Sequence, residues 1–286
     1  MTGGGIRRIA RRHESFPSLL AAIHDPPREL FVRGNGDLAL LSRPSVAIVG
    51  ARACSSYGRS VARSLGRELG AAGLVVTSGM ARGVDGEAHR GALEADGLTV
   101  AVLGCGIDRD YPAAHAELAR RICERGLVMS EYEPGVEPAP WRFPARNRII
   151  AGLCRATLVV EARERSGALI TADFALEEGR EVLAVPGEIT SALSAGTNAL
   201  LKLGATPATS ADDVLELFDL QRASAEPASV SETARRILDA LRDGALTADE
   251  LVRASGIEPA AVASALIELE LARRVVLEDG VYRASV

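Results

Sequence analysis

From Ser45 onward the chain alternates short apolar runs with stretches whose apolar residues recur every three or four positions. SVAIVG (45–50) is a continuous apolar run closed by glycine, which predicts a strand buried on both faces. Residues 57–72 place Val61, Leu65 and Leu69 on one side, which predicts a helix. The alternation continues through strand LVVTSG, helix 84–95, strand LTVAVLG, helix 113–125 and strand LVMSE. A helix through 147–153, strand TLVVEA (157–162), helix 168–179, strand EVLAVPG and a helix around 198–203 follow. Repeated strand–helix units with apolar strands imply a mainly parallel sheet covered on both faces. The expected fold class is α/β, with an extended Rossmann-like, doubly wound, mainly parallel sheet over residues 44–220.

The stretch QRASAEPASV (221–230) keeps no apolar period and reads as a linker. Beyond it, SETARRILDALRDG and LTADELVRASG read as helices, each closed by glycine. A third helix starts at Pro259, a residue favoured in the first turn, with Val262, Leu266 and Leu269 on one face. RRVVLEDGVYRASV reads as a hairpin turning at Asp279-Gly280. Three helices and a two-stranded wing make residues 231–286 a small C-terminal winged-helix domain. Residues 1–43 are too few for a further domain and are expected to form an extension packed on the sheet.

The composition, 47% hydrophobic and 25% charged, is that of a globular protein. No apolar run reaches the roughly 18 residues of a membrane span, and the basic start lacks the apolar core of a signal peptide, so a cytoplasmic protein is expected. The four cysteines form no CxxC pair, and the four histidines add no ligand spacing, so buried thiols are expected, with no metal site and no cofactor. A net charge of -5 means that any affinity for anions must come from a local cluster of cations.

Such clusters stand at the expected strand ends. GARACSSYG, SGMARGVDGEAH, GCGIDRDYP and EARERSGALIT follow four of the strands. Glycines let backbone N–H groups approach an anion, and the helix starts that follow add partial positive charge. Gly50, Ser78 and Gly79 are candidates for that backbone, with Arg52 and Arg82 just beyond and Arg165 joining them. In RFPARNRIIAGL, Arg146 and Arg148 flank Asn147 at an expected helix start, where cations oppose the macrodipole, so their charge is expected to serve a ligand. Pairing with Glu131 or Glu133 is the structural alternative. Trp141 and Phe143 beside these arginines could stack on unpaired bases. Ser166, Gly167 and Thr171 could bond phosphate, with a helix cap at Ser166 also open. Asp85 and His89, four residues apart on a helix, could pair for acid–base work, but a structural role is favoured because no nucleophile motif accompanies them. Neither GxGxxG nor GxxxxGK[ST] occurs.

Together these motifs resemble the DNA-processing protein A (DprA/Smf) family, over about residues 45–218. The resemblance is carried by VGARACSSYG, SGMARGVDGEAHRGAL, GCGIDRDYP, SEYEPG, FPARNRIIAGL, VVEARERSGALITADFALEEGREVLAVPG and GTNALLKLGA, in the family's order. The C-terminal winged helix is similar to one often found there. The resemblance implies a non-catalytic homodimer that binds single-stranded DNA without sequence preference, protects incoming DNA and loads the RecA recombinase in natural transformation. It implies that Arg52 is a principal DNA contact and that Phe143, Arg146 and Arg148 line the same groove. His115 stands where the family usually has Asn, Cys154 where it has a small hydroxyl residue, and both are expected off the groove. The N-terminus is short for the helical domain that some members carry.

Two other readings compete. A phosphoribohydrolase-like Rossmann enzyme would need a PGGxGTxxE loop, and SGALITADFALEEG lacks both the glycine triplet and the glutamate in register. A transcription regulator acting through the winged helix would read DNA with residues 259–271, which offer Glu268 and Glu270 and no Arg, so that domain is expected to contact protein.

Overall fold

The computed structural model describes residues 5–220, 230–242, 244–272, 274–278 and 280–284. The chain divides into two units, residues 1–222 and 223–286. In chain order the first contains β1 (Arg7–Ala10), α1 (Ser18–Ala21), β2 (Glu29–Arg33), β3 (Ser45–Val49), α2 (Ser56–Ala71), β4 (Val75–Ser78), α3 (Val84–Glu94) and β5 (Thr99–Leu103). It continues through α4 (Ala116–Arg125), β6 (Leu127–Ser130), α5 (Arg142–Leu153), β7 (Ala156–Val159), α6 (Gly167–Glu177), β8 (Glu181–Ala184), α7 (Ala195–Lys202), β9 (Thr206–Pro207) and α8 (Ala211–Leu215).

The sheet order is β1-β2-β6-β5-β4-β3-β7-β8-β9. Pairs β1–β2 and β2–β6 are antiparallel, and the remaining pairs are parallel. Residues 1–43 thus do more than pack on the sheet, because they supply two of its strands. Leu30, Phe31 and Val32 of β2 are buried, which a three-residue apolar run barely announces. Alternate residues of β3 face opposite cores. Val46 and Ile48 pack with α2, α3 and α8, whereas Ala47 and Val49 pack with α1, α5, α6 and α7. This is the doubly wound arrangement that the alternating pattern predicts.

α5 starts at Arg142, five residues before the expected start, and holds Pro144 in its first turn, where a missing N–H breaks no helical bond. Arg146 and Arg148 therefore lie about one and nearly two turns into the helix rather than at its end, so the macrodipole argument for their charge does not hold.

The second unit contains α9 (Glu232–Ala240), α10 (Ala248–Ser255), α11 (Pro259–Leu271), β10 (Val275–Glu278) and β11 (Val281–Ala284). Ile237, Leu251, Val262, Leu266 and Leu269 form its own core. The hairpin pairs Glu278 with Val281; Asp279 of its expected turn, like the expected linker up to residue 229, lies outside the described residues.

Candidate nucleic-acid interface

The chain order of the parallel strands reverses between β3 and β7, and loops beyond their carboxyl ends splay apart there into a crevice. Two adjoining cavities of about 380 and 370 Å³ occupy it and share Arg52, Ala53, Ala81 and Arg146 in their walls. Gly50, Asn147, Arg163, Arg165, Ser166, Gly167 and Thr171 line the first; Gly79, Arg82, Tyr111 and Phe143 line the second. Of the candidate residues, Ser78, His89, Trp141 and Arg148 lie outside both. Ser78 is buried and its Oγ donates to Ile48 O at 2.6 Å, which joins two strands. Arg148 donates to Glu131 Oε1 and Oε2 at 2.9 and 2.8 Å and to Asp25 Oδ2 at 2.9 Å. Its charge is thus spent on carboxylates, as the structural alternative had it.

The cations of the crevice behave otherwise. Arg52, Arg82, Arg163 and Arg165 are exposed, and none forms an ion pair among the described residues. Arg52 places its Cζ 5.5 Å from the centroid of the Phe143 ring, and Tyr111 stacks on that ring at 5.3 Å. Trp141 is 63% exposed, stacks with Arg142 and lines neither cavity. The platform is therefore Phe143 with Tyr111, not Phe143 with Trp141.

Arg146 is buried beneath this floor. Its Nη1 donates to Gly79 O at 2.7 Å and to Val102 O, tying two strand ends together. A Cβ on Gly79 would come within 2.8 Å of the Asp85 carboxylate and closer still to the Arg146 guanidinium, so a side chain here would have to displace this buried pair. Burial holds the Arg146 guanidinium down to about 10, and the charge of Asp85 opposes that. Burial likewise raises the Asp85 carboxyl, and Arg146 pulls the other way. Asn147 donates from Nδ2 to Gly167 O at 3.1 Å and fixes the start of α6. Ser166 caps α6 by accepting from Ala168 N at 3.2 Å, while Thr171 donates back to Gly167 O at 3.5 Å, so its hydroxyl serves its own helix.

Asp85 and His89 do not pair. Asp85 accepts from Ala81 N at 3.2 Å. Thr99 Oγ1 donates to Val76 O at 2.6 Å, so His89 Nδ1 donates to Thr99 Oγ1 at 2.7 Å, leaving a buried Nε2 with no partner. Burial lowers this imidazole to about 3. Among the described residues, no group of three or more His, Cys, Asp or Glu could hold a metal ion, and no helix is long and apolar enough to cross a membrane.

A family description, DNA recombination-mediator protein A, matches residues 7–219, and a DprA winged-helix description matches residues 221–280. The chain belongs to the DprA family. It is 43% identical to a DNA processing protein DprA of Mycobacterium tuberculosis over 266 residues, covering 90% of this chain and 68% of that one. It is 48% identical to DprA of Streptococcus pneumoniae over 210 residues, covering 72% of each. A crystal structure of that protein superposes with a TM-score of 0.69 over 76% of this chain and 75% of the other. DNA processing protein A of Helicobacter pylori, whose structure addresses its single-stranded DNA binding mode, is 30% identical with a TM-score of 0.67, covering 77% of this chain and 98% of that one.

Within this DprA chain, sequence reasoning left out Arg163 and Tyr111. Both stood inside motifs already quoted, Arg163 two residues before Arg165 and Tyr111 in GCGIDRDYP. His115 lies nearer the groove than expected. It is buried, and its Nδ1 donates at 3.0 Å to the carbonyl of Met80, which holds a φ of 60° in the Gly79–Arg82 loop. Cys154 is buried away from the crevice, and burial pushes its thiol up to about 11.

Proposed function

We propose that this DprA chain binds single-stranded DNA without sequence preference in the crevice between β3 and β7. The observation that carries the reading is the set of unpaired, exposed arginines around a half-buried aromatic platform. Arg52, Arg163 and Arg165 face the open start of α6, which suits successive phosphates. Phe143, backed by Tyr111 and Arg52, suits an unstacked base, which a duplex would not present. Neither element reads base edges, so no sequence preference is expected. The Helicobacter pylori relative, described by its single-stranded DNA binding mode, supports the same assignment.

The wider role we propose, which membership of the family supports, is that of a cytoplasmic, homodimeric mediator that protects incoming single strands and loads RecA during recombination. Catalytic turnover is not part of this reading, since His89 and Asp85 are engaged in structural bonds. The deciding measurement is binding of a fluorescent poly-dT oligomer against a duplex of equal length across a salt series. Preference for the single strand, weakening with salt, is expected. Equal affinities or a flat salt response would overturn the proposal, and groove-dependent hydrolysis of a nucleoside monophosphate would overturn its non-catalytic part.

A further inference from the structure

In a doubly wound sheet the loop after the first strand of the parallel core leads to a helix N-terminus that can receive phosphate. Here that loop is 50–55 and the helix is α2, yet neither cavity reaches the helix start. The reason is Glu161, two residues past β7. Its side chain is buried and seated on the N-cap residue of α2. Ser55 N donates to Oε2 at 2.9 Å, Ser55 Oγ donates to Oε1 at 2.5 Å, and the same Oγ accepts from Gly58 N at 3.0 Å. No cation pairs with Glu161 among the described residues. A buried carboxylate without a cation is costly, so the partial positive charge of α2 and the two Ser55 donors are what hold it there. The backbone is shaped around it, because a Cβ on Gly58 would come within 2.5 Å of Cδ and 3.0 Å of Oε1.

We propose that Glu161 is a built-in anion that fills the phosphate seat of the first strand–helix turn and so excludes free nucleoside phosphates from this crevice. Phosphate binding is left to the start of α6 and its arginines, where a continuous strand can lie. Glu161 is thus a specificity-determining residue that favours polymer over mononucleotide, an inference resting on the crevice being the single-strand site.

The test compares the native full chain with Glu161→Ser and Glu161→Gln, using fluorescent ADP and poly-dT in parallel titrations. ADP is expected to leave the native chain unbound and fail to displace poly-dT. Glu161→Ser, which vacates the seat and its charge, is expected to gain ADP affinity by about tenfold or more, the scale of one charge-assisted contact. Glu161→Gln, which keeps the volume, is expected to stay closed. ADP binding by the native chain, or no gain in a folded Glu161→Ser chain, would overturn the inference while leaving the single-strand reading intact. Failure of the native chain to bind poly-dT would instead overturn that reading. The seat itself is tested by urea unfolding. Gly58→Ala is expected to lower the midpoint of the native chain but not of Glu161→Ser, and simply additive effects would contradict the geometry.

Discussion

Arg146 and Arg148 stand two residues apart on α5 and do different work, which fixes what each substitution should cost. Arg148→Ala leaves the largely buried Glu131 carboxylate without its cation, so a stability loss of about 3 kcal/mol in urea unfolding is expected, with single-strand affinity changed little in the chain that remains folded. Arg52→Ala should show the reverse pattern. Its guanidinium is exposed and unpaired, so stability should hold while affinity for poly-dT falls by about tenfold or more, the scale of one charge-assisted hydrogen bond of roughly 1.5–3 kcal/mol. Arg146→Ala is expected to lose both, since its guanidinium holds the Gly79 and Val102 carbonyls beneath the floor. His89 sets a pH dependence. Its folded pKa of about 3 lies below the ordinary 6.5, so the unfolded chain binds the extra proton between these values. Its stabilisation is therefore complete above about pH 6.5 and declines as pH falls toward 3. At pH 5.5 the loss should reach about 1.4 kcal/mol, and His89→Leu should remove that part of the slope in urea midpoints measured from pH 7.5 to 5.5.

At the scale of elements, the helix starts around the crevice differ in what already occupies them. α2 carries the Glu161 carboxylate and α3 has Asp85 and Glu87 in its first turn, whereas α6 has no acidic residue there and opens into the cavity. α6 is accordingly the start to which the proposal assigns the anion. Ser166→Ala removes its cap, so a stability cost of about 1 kcal/mol is expected together with weaker binding of poly-dT. Unchanged binding in that variant would move the phosphate away from α6. On α11 the two glutamates differ in what they face. Glu268 accepts from Ser231 N and Oγ, both at 2.6 Å, and so holds the N-cap residue of α9, while Glu270 remains exposed. With no basic residue on that helix, it offers a poor surface for phosphates.

For the whole molecule, an acidic chain could hold an acidic polymer only locally, and under the proposal the salt response should report the number of phosphates neutralised. A log–log slope of about -0.7 per phosphate is expected for a single strand, and removing Arg52 should make it shallower by about one contact. Each unit carries its own core, so a chain ending at Leu220 should keep most of the affinity for poly-dT. Deleting residues 231–286 should therefore cost less than Arg52→Ala. Arg273 of the expected wing lies outside the described residues, and its substitution by alanine should matter little. Loss of binding in the shortened chain, with Arg52→Ala retaining it, would place the site in the winged helix.

The sequence by itself determined the layers and the loops that meet. Continuous apolar strands alternating with amphipathic helices fix a parallel sheet covered on both faces, because strand and helix periods are properties of local pattern. Since ligands gather beyond the carboxyl ends of such strands, Gly50, Arg52, Gly79 and Arg82 were legible as one crevice before any coordinates. Tertiary structure decided what each charge faces. Whether an arginine is spent on a carboxylate, as Arg148 is, on backbone carbonyls, as Arg146 is, or lies over an aromatic ring with no ion pair, as Arg52 does, depends on residues far away in the chain. Asp25 and Glu131 reach Arg148 from 123 and 17 positions away, and Glu161 reaches Ser55 across 106. Local pattern carries no information on such pairs, because packing alone brings them within hydrogen-bond range.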